Sequence, residues 1–332
     1  MTDIALKRAY APAIPEIDGY RILVDRLWPR GVSKTKAQLD EWLKDIAPSP
    51  QLRTWWNHDR ARYSEFAARY RAELDNNPAV ERLLTLMHEH ADSRITLVFG
   101  AKDLVINHAH VLRNYLIEQT TPRENTVLNS QGFTIATIPA RPKHSDNAQH
   151  KKPNLDGLEY STLELKDAQA LQWVEALTFE DTFLLTSTPR DNDDYIAQTY
   201  TLENTQSELA DNHSVHTALT DTASGEIAAF MKLNRPGAFS ESNPKIPQDS
   251  IEVQRLYVMP RFKRRGLGSF LMSKAVDFAR EEKADWLWLG VWQYNFAAQE
   301  FYKNWGYKRF SEHIFAVGED EQVDFLLKKK LQ

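Results

Sequence analysis

Residues 260–272 read PRFKRRGLGSFLM: Lys263, Arg264 and Arg265 lead into Gly266-Leu267-Gly268-Ser269, and an apolar run follows. A helix N-terminus carries N–H groups without intrahelical partners and a partial positive charge, so phosphates dock there. Glycines let an anion approach the backbone closely. The stretch therefore reads as a pyrophosphate cradle between a strand ending at Met259 and the next helix. The competing reading is a tight turn whose cations are a solvated face. Two other phosphate loops are excluded. A Walker loop needs Gly-Lys-Ser/Thr, which is absent. A dinucleotide fingerprint needs a third glycine where Leu271 stands, and an acid ending the next strand, whereas Asp285 precedes it.

A second basic group lies near the amino end. Arg26 and Arg30 follow the apolar run RILVDRL, and Lys102 follows RITLVFGA. Asn107 and His108 open the next helix. In parallel α/β sheets ligands bind outside the carboxyl ends of strands. Arg26, Arg30, Lys102 and His108 are thus expected to form a pocket for an anionic ligand, unless Asp25, Asp45 and Asp103 hold the cations in structural ion pairs. Glu180, Asp181, Asp191, Asp193 and Asp194 would attract a polycation, or simply make a solvated helix start.

The elements that must position these residues fall into two groups. RILVDRL (21–27) and RITLVFG (94–100) read as buried strands. Ser33 is a plausible N-cap, and Leu39, Trp42, Leu43 and Ile46 share one helical face after it. Tyr63, Phe66, Ala67, Tyr70 and Leu74 repeat as an amphipathic helix; Pro78 begins another, and Asn107 to Leu116 a third. Strands alternating with helices predict a small α/β domain with a parallel sheet. After a Pro-, Asn-, Ser- and Lys-rich stretch, in which only GFTIATI looks like a strand, the pattern changes. LEYSTLEL is a strand, DAQALQWVEAL and DDYIAQTYTLENTQSELAD are helices, and VHTALTD with GEIAAFMKLN forms a hairpin. SIEVQRLYVMP, DWLWLGVW, YKRFSEHIFAVG and QVDFLLKKKL are further strands, with NFAAQEFYKNW a helix between them. A mixed sheet flanked by helices is expected. The predicted division is a domain over 1–120, a linker over 121–156 and a domain over 157–332.

Length and composition agree: 332 residues suit about two domains. A net charge of -5 argues against bulk nucleic-acid binding. With Cys 0, disulfides, thiolate zinc sites and cysteine nucleophiles are excluded, and a cytoplasmic setting is expected. No metal site is expected. The start MTDIALKRAYAP has no apolar core of signal-peptide length, and no stretch approaches the roughly 18 apolar residues of a membrane span.

The order strand, basic glycine loop, helix, strand, then NFAAQEFYKNWGY resembles the GNAT N-acetyltransferases over about residues 157–332. Arg264-Arg265-Gly266-Leu267-Gly268 fits their acetyl-CoA loop, and Lys263 replaces the usual Gln or Arg at its first position. Asn295, Ala298, Phe301, Tyr302, Gly306 and Tyr307 match their second element. IEVQRLYVMP, LGVWQYN and SEHIFAVGEDEQVDFLLKKKL resemble more narrowly the PaiA-type branch, which includes spermidine/spermine acetyltransferases. The resemblance implies acetyl-CoA as cofactor and a small-molecule amine as acceptor, a class that includes the polyamines. It also implies a strand splayed from its neighbour, with Leu256, Tyr257 and Val258 holding the pantetheine and carbonyl, and Asn295 and Ala298 at the cofactor. Tyr302 matches the family's usual general acid; the alternative is a core aromatic, since Phe301 and Tyr302 are not both expected to face inward.

An amine attacks a thioester only when deprotonated, so a proton acceptor is needed. Glu252 lies two before Gln254 and four before Leu256, on one face of the strand. It would relay the amine proton through water, or it is an exposed surface glutamate. His313 is a second candidate, against a structural histidine. VDRLWPRG, LRTWW and FGAKDLVINHAHVL resemble the small YeaO-like family over about residues 4–118, which supplies a fold and no reaction. A non-catalytic CoA-binding sensor or interaction protein is the competing class. The sequence leaves the oligomeric state open; a homodimer is compatible with it.

Overall fold

The computed structural model describes residues 3–121, 126–128, 134–137, 152–183, 189–317 and 320–331. The chain forms two compact units. One comprises Met1–Thr137 with Phe179–Tyr200, the other Ile138–Thr178 with Thr201–Gln332. The predicted division at 157 therefore differs from these units in residues 179–200.

The first part of the chain gives β1 (Asp3–Arg8), α1 (Pro15–Asp18), β2 (Tyr20–Leu23), α2 (Lys34–Ala37) and β3 (Glu41–Trp42). Then come α3 (Pro50–Trp56), α4 (Tyr63–Leu74), α5 (Pro78–Glu89), β4 (Arg94–Phe99) and α6 (His108–Thr120). Two short strands, β5 (Thr126–Leu128) and β6 (Thr134–Thr137), pair antiparallel within the predicted linker. The rest of that linker before residue 152 lies outside the described residues. β1, β4, β2 and β3 form an all-parallel sheet in that order. Its central strands are buried apolar runs, as strands covered on both faces must be.

The predicted α4 face is present, with Tyr63, Phe66, Ala67, Tyr70 and Leu74 all buried. The predicted helix after Ser33 is not. Ser33 caps only the four-residue α2, and Gln38 turns left-handed at φ 44. The chain then leaves the helix to pair with β2: Asp40 N–H donates to Arg21 O at 2.9 Å and Leu43 N–H to Leu23 O at 3.0 Å. Asp40 also accepts from Arg21 N at 2.7 Å. Edge pairing offers three hydrogen bonds that a solvent-facing helix would leave to water.

The later part gives β7 (Leu158–Thr162), α7 (Ala168–Phe183), α8 (Pro189–Thr199), α9 (Leu202–Ala210), β8 (Ser214–Asp221) and β9 (Ile227–Asn234). β10 (Ser250–Val258), α10 (Leu267–Glu281), β11 (Trp286–Trp292), α11 (Phe296–Asn304), β12 (Lys308–Val317) and β13 (Asp320–Lys330) complete it. Residues 193–211, read as one helix, are two: Thr201 accepts from Asn204 N at 3.0 Å and starts α9 afresh. The seven-stranded sheet runs β12-β13-β11-β10-β9-β8-β7, and only β10–β11 is parallel. One face of α10, Leu267, Leu271, Met272, Ala275 and Ala279, is sealed into the sheet's core. That burial fixes where the glycine loop sits.

Residues 179–200 group with the first unit for an electrostatic reason. Glu180 and Asp193 are each 2% exposed. Glu180 faces His110 Nδ1 at 3.2 Å, and Asp193 accepts from Arg71 at 2.7 Å. Arg113 pairs with Asp181. These acids are therefore not a solvent-facing lure for a polycation, as their sequence allowed. A carboxylate this buried must be matched by a cation. Among the described residues no helix is long and apolar enough to cross a membrane.

Candidate active site

β10 and β11 pair over only three residues, Ser250–Glu252 against Trp286–Trp288, and then part. A bulge between Val253 and Arg255 bends β10 at that point. β10 remains paired to β9 through Val258. Met259 N–H donates to Ala228 O at 2.9 Å. N–H directions alternate along an antiparallel strand, so those of Leu256 and Val258 point to the open edge and that of Tyr257 toward β9. The tertiary structure thus separates three residues that the sequence treats alike.

The glycine loop lies at the end of this edge. Arg264 and Gly266 are both left-handed, at φ 64 and φ 81, and Gly266 is the N-cap of α10. Phe270 N–H is taken by Gly266 O at 3.0 Å. The N–H groups of Leu267, Gly268 and Ser269 have no intrahelical acceptor. A β-carbon on Gly268 would stand 3.8 Å from Phe301 and 3.9 Å from Leu256, in ordinary contact. Lys263 and Arg264 are exposed and make no ion pair among the described residues. Arg265 differs from them: it donates to Asp156 O at 2.7 Å, so it braces the loop. Leu267 is buried in the core, leaving only its backbone to an anion. The N–H groups and the two unpaired cations fit a pyrophosphate.

α11 borders the same edge. Asn295 caps it, accepting from Ala298 N at 3.1 Å. Tyr302 is buried, and burial, with Tyr257 beside it, pushes its phenol well above the ordinary range. Its hydroxyl makes no hydrogen bond among the described residues, and it remains a protonated donor at neutral pH. Phe301 is half-buried against the same cluster, so both neighbours face inward, contrary to the expectation that only one would.

Glu252 is 1% exposed, which removes the surface-glutamate alternative. Its carboxylate accepts from Asn234 Nδ2 at 2.8 Å, from Ser240 N at 2.9 Å and from the Ser240 hydroxyl. Burial raises its pKa; the Ser240 and Asn234 hydrogen bonds and Lys232 oppose the rise. Asn234 Nδ2 also donates to Gln254 at 3.0 Å. Trp288 stands opposite Glu252 in the parallel register, so their side chains share a face. Trp288 is buried, and its indole N–H has no hydrogen-bond partner. A second acid lies on β13, opposite Trp292 of the splayed strand. Asp324 is raised by burial to about 6, with His313 opposing. His313 sits across the β12–β13 pair from it and 2.8 Å from Glu241. Asn234, Ser240, Trp288 and Asp324 carried no signal in the sequence, because only strand register and the loop after β9 bring them here.

An open cleft of about 560 Å³, lined by Glu208, Asp211, Lys232, Phe239 and Gln254 among others, adjoins Gln254. Behind it Arg255 Nη1 lies 2.6 Å from both Glu175 and Glu208, and Lys232 3.0 Å from Glu208. Glu175, Glu208 and His216 approach one another as metal ligands would. Arg255 and Lys232 already neutralise them, and this favours an ion-pair cluster over a cation site. Arg255→Ala is expected to destabilise this unit by about 3 kcal/mol, because Glu175 is left buried and uncompensated. Chemical denaturation checks this.

In the first unit a cavity of about 490 Å³ includes Arg26 and His108 in its lining. Arg30 and Lys102 are exposed and not part of it. The sequence missed Arg53 and His58, which do line it.

Comparison with known proteins finds one family in each part of the chain, and the second match includes residues 179–200, which pack with the first unit. Residues 173–307 match the acetyltransferase (GNAT) family, and residues 3–133 match the family described as the inactive DUF488-N3 subclade. The chain is 34% identical over 177 residues, 53% of its length and 99% of the relative's, to an uncharacterized N-acetyltransferase in the pepI 3' region of Lactobacillus delbrueckii subsp. lactis. It is 44% identical over 115 residues, 34% of its length and 96% of the relative's, to the uncharacterized protein YeaO of Escherichia coli K12. Among solved structures it is similar to the PaiA N-acetyltransferase of Thermoplasma acidophilum in complex with coenzyme A. That match has 18% identity and a TM-score of 0.40, covering 52% of this chain and 99% of that one. The chain belongs to the GNAT N-acetyltransferases, acyltransferases that use acetyl-CoA, through its carboxyl-terminal part. Through its amino-terminal part it belongs to the YeaO-like DUF488 proteins.

Proposed function

We propose that the carboxyl-terminal domain, over 157–332, acetylates the primary amine of a small molecule in the cytoplasm, with neither nucleic acid nor membrane as partner. The observation that carries this is the parting of β10 and β11 beside the glycine loop. Acetyl-CoA supplies an activated acyl group there. Lys263, Arg264 and the N–H groups of Leu267, Gly268 and Ser269 hold its phosphates. The N–H groups of Leu256 and Val258 are donors on the open edge and polarise the thioester carbonyl. Asn295 and Ala298 close the cofactor side through the start of α11.

The acceptor amine enters by the cleft at Gln254. Its proton passes to Glu252, whose raised pKa makes it a stronger base than a free carboxylate. The unpartnered Trp288 N–H supports a bridging water between amine and carboxylate. Tyr302 donates the proton to the departing thiolate. This arrangement of base and acid favours an enzyme over a non-catalytic CoA sensor. A polyamine remains one member of the acceptor class. The burial of Glu180 and Asp193, paired with Arg113 and Arg71, removes the acidic lure that its sequence suggested.

The test is an acetyl-CoA-dependent assay over a panel of amines that includes spermidine, amino acids and aminoglycosides, with Tyr302→Phe in parallel. At least one amine should turn over. Tyr302→Phe should reduce kcat by about 10²-fold, the scale of lost general-acid catalysis, with acetyl-CoA affinity unchanged. Binding of acetyl-CoA without turnover of any amine would support the sensor.

A further inference from the structure

We propose that the cavity in the amino-terminal unit is a binding site for a small organic monoanion, a carboxylate carried on an apolar body. The cavity lies at the carboxyl ends of two parallel neighbours. β2 and β4 pair from Tyr20↔Ile95 to Leu23↔Val98, and Asp25, Arg26, Gly100 and Ala101, which follow them, line the space. Its volume of about 490 Å³ suits a small molecule.

Its charges favour one negative group. Arg26 and Arg53 are the cations. Arg26 is held in place by Ala47 O at 2.9 Å and Pro48 O at 3.3 Å, with Asp45 3.8 Å away. Arg53 makes no ion pair or hydrogen bond through its side chain among the described residues. Asp25 is the one carboxylate of the lining. It is already occupied: one oxygen accepts from Gly100 N, and the other lies 3.2 Å from His108 Nε2. Burial lowers the His108 pKa, against the pull of Asp25 and the Val24 carbonyl, so the ring is neutral at pH 7. With Asp25 and the Val24 carbonyl both facing Nε2, that nitrogen carries the hydrogen. Arg26 already faces Asp45, and Asp25 lies beside His108, so Arg53 is the guanidinium of the lining with no carboxylate partner among the described residues. A planar carboxylate is the geometric match for an arginine fork.

Two further features point the same way. Asn57 and His58 are consecutive left-handed residues, at φ 47 and φ 56, and both line the cavity. Two adjacent non-glycine residues in that region cost free energy that ordinary loops avoid, and such strain gathers at binding sites. Part of the lining is apolar. Leu27 and Tyr10 are 67% and 49% exposed, and with Pro29, Pro48 and Pro50 they offer a surface to the body of the ligand.

Calorimetry and saturation-transfer NMR on the full-length chain, with benzoate as probe and benzamide as its neutral counterpart, test this. Benzoate should bind and benzamide should not. Arg53→Ala should weaken benzoate at least tenfold, Arg53→Lys less, and saturating CoA should leave the binding unchanged. Arg53 is exposed and unpaired, so its replacement does not threaten folding, as Arg26→Ala would. Absence of benzoate binding, equal binding of benzamide, displacement by CoA, or full affinity in Arg53→Ala would each overturn the proposal. So would inorganic phosphate binding through Arg53 more tightly than benzoate.

Discussion

Gly266→Asp should raise the acetyl-CoA dissociation constant at least a hundredfold and leave the fold intact. Gly266 is the left-handed N-cap of α10. Aspartate is among the residues that tolerate that conformation. Its carboxylate would place a negative charge at the start of α10, where the phosphates dock. A like-charge pair about 4 Å apart at an effective dielectric of about 20 costs roughly 4 kcal/mol. A hundredfold change needs only about 2.7 kcal/mol. Titration calorimetry reads the affinity, and thermal unfolding reads the fold. Unaltered acetyl-CoA affinity in a folded variant would remove this loop from the cofactor site. Loss of both affinity and melting temperature would show a structural role instead.

Glu252→Gln should lower kcat/KM by about 10²- to 10³-fold, within the range of positioned base catalysis. The pH dependence carries the sharper test. Burial raises the Glu252 pKa, and the carboxylate is the working form, so activity falls as pH drops through that raised value. In the glutamine variant this ionisation disappears from the profile. The amine's own ionisation remains, and it is told apart because it moves when the amine is changed. Asp324, raised to about 6, is the rival base. If the acidic limb survives in Glu252→Gln and is lost in Asp324→Asn, the proton leaves through β13.

The glycine loop, the Asn295–Tyr302 element and both sheet classes were legible because each is written in contiguous residues. A phosphate cradle needs a strand end, glycines and a helix start within about ten residues, and period-two and period-3.6 patterns are local too. The helix expected after Ser33 failed for the same reason in reverse. Its apolar spacing was correct, but β2 lies close enough to capture the backbone of Asp40 and Leu43, and spacing contains no information about a neighbour. A cavity lies at the carboxyl ends of β2 and β4, because parallel pairing makes those ends meet. Arg26 and His108 line that cavity. Arg30 and Lys102 are exposed and not in its lining, while Arg53 and His58, on a later helix and at its left-handed end, are.

Glu180 and Asp193 look like surface acids in the sequence, and burial with His110 and Arg71 makes them structural. Glu252 gained Asn234, Ser240 and Trp288 as neighbours from three other segments. Sequence alone determined most of the helices and strands and the place of the glycine loop, because those are decided largely within a few residues of chain. Only the tertiary structure decided which charges are bare and which are matched, because a charge's partner and its distance from water are set by residues far away along the chain.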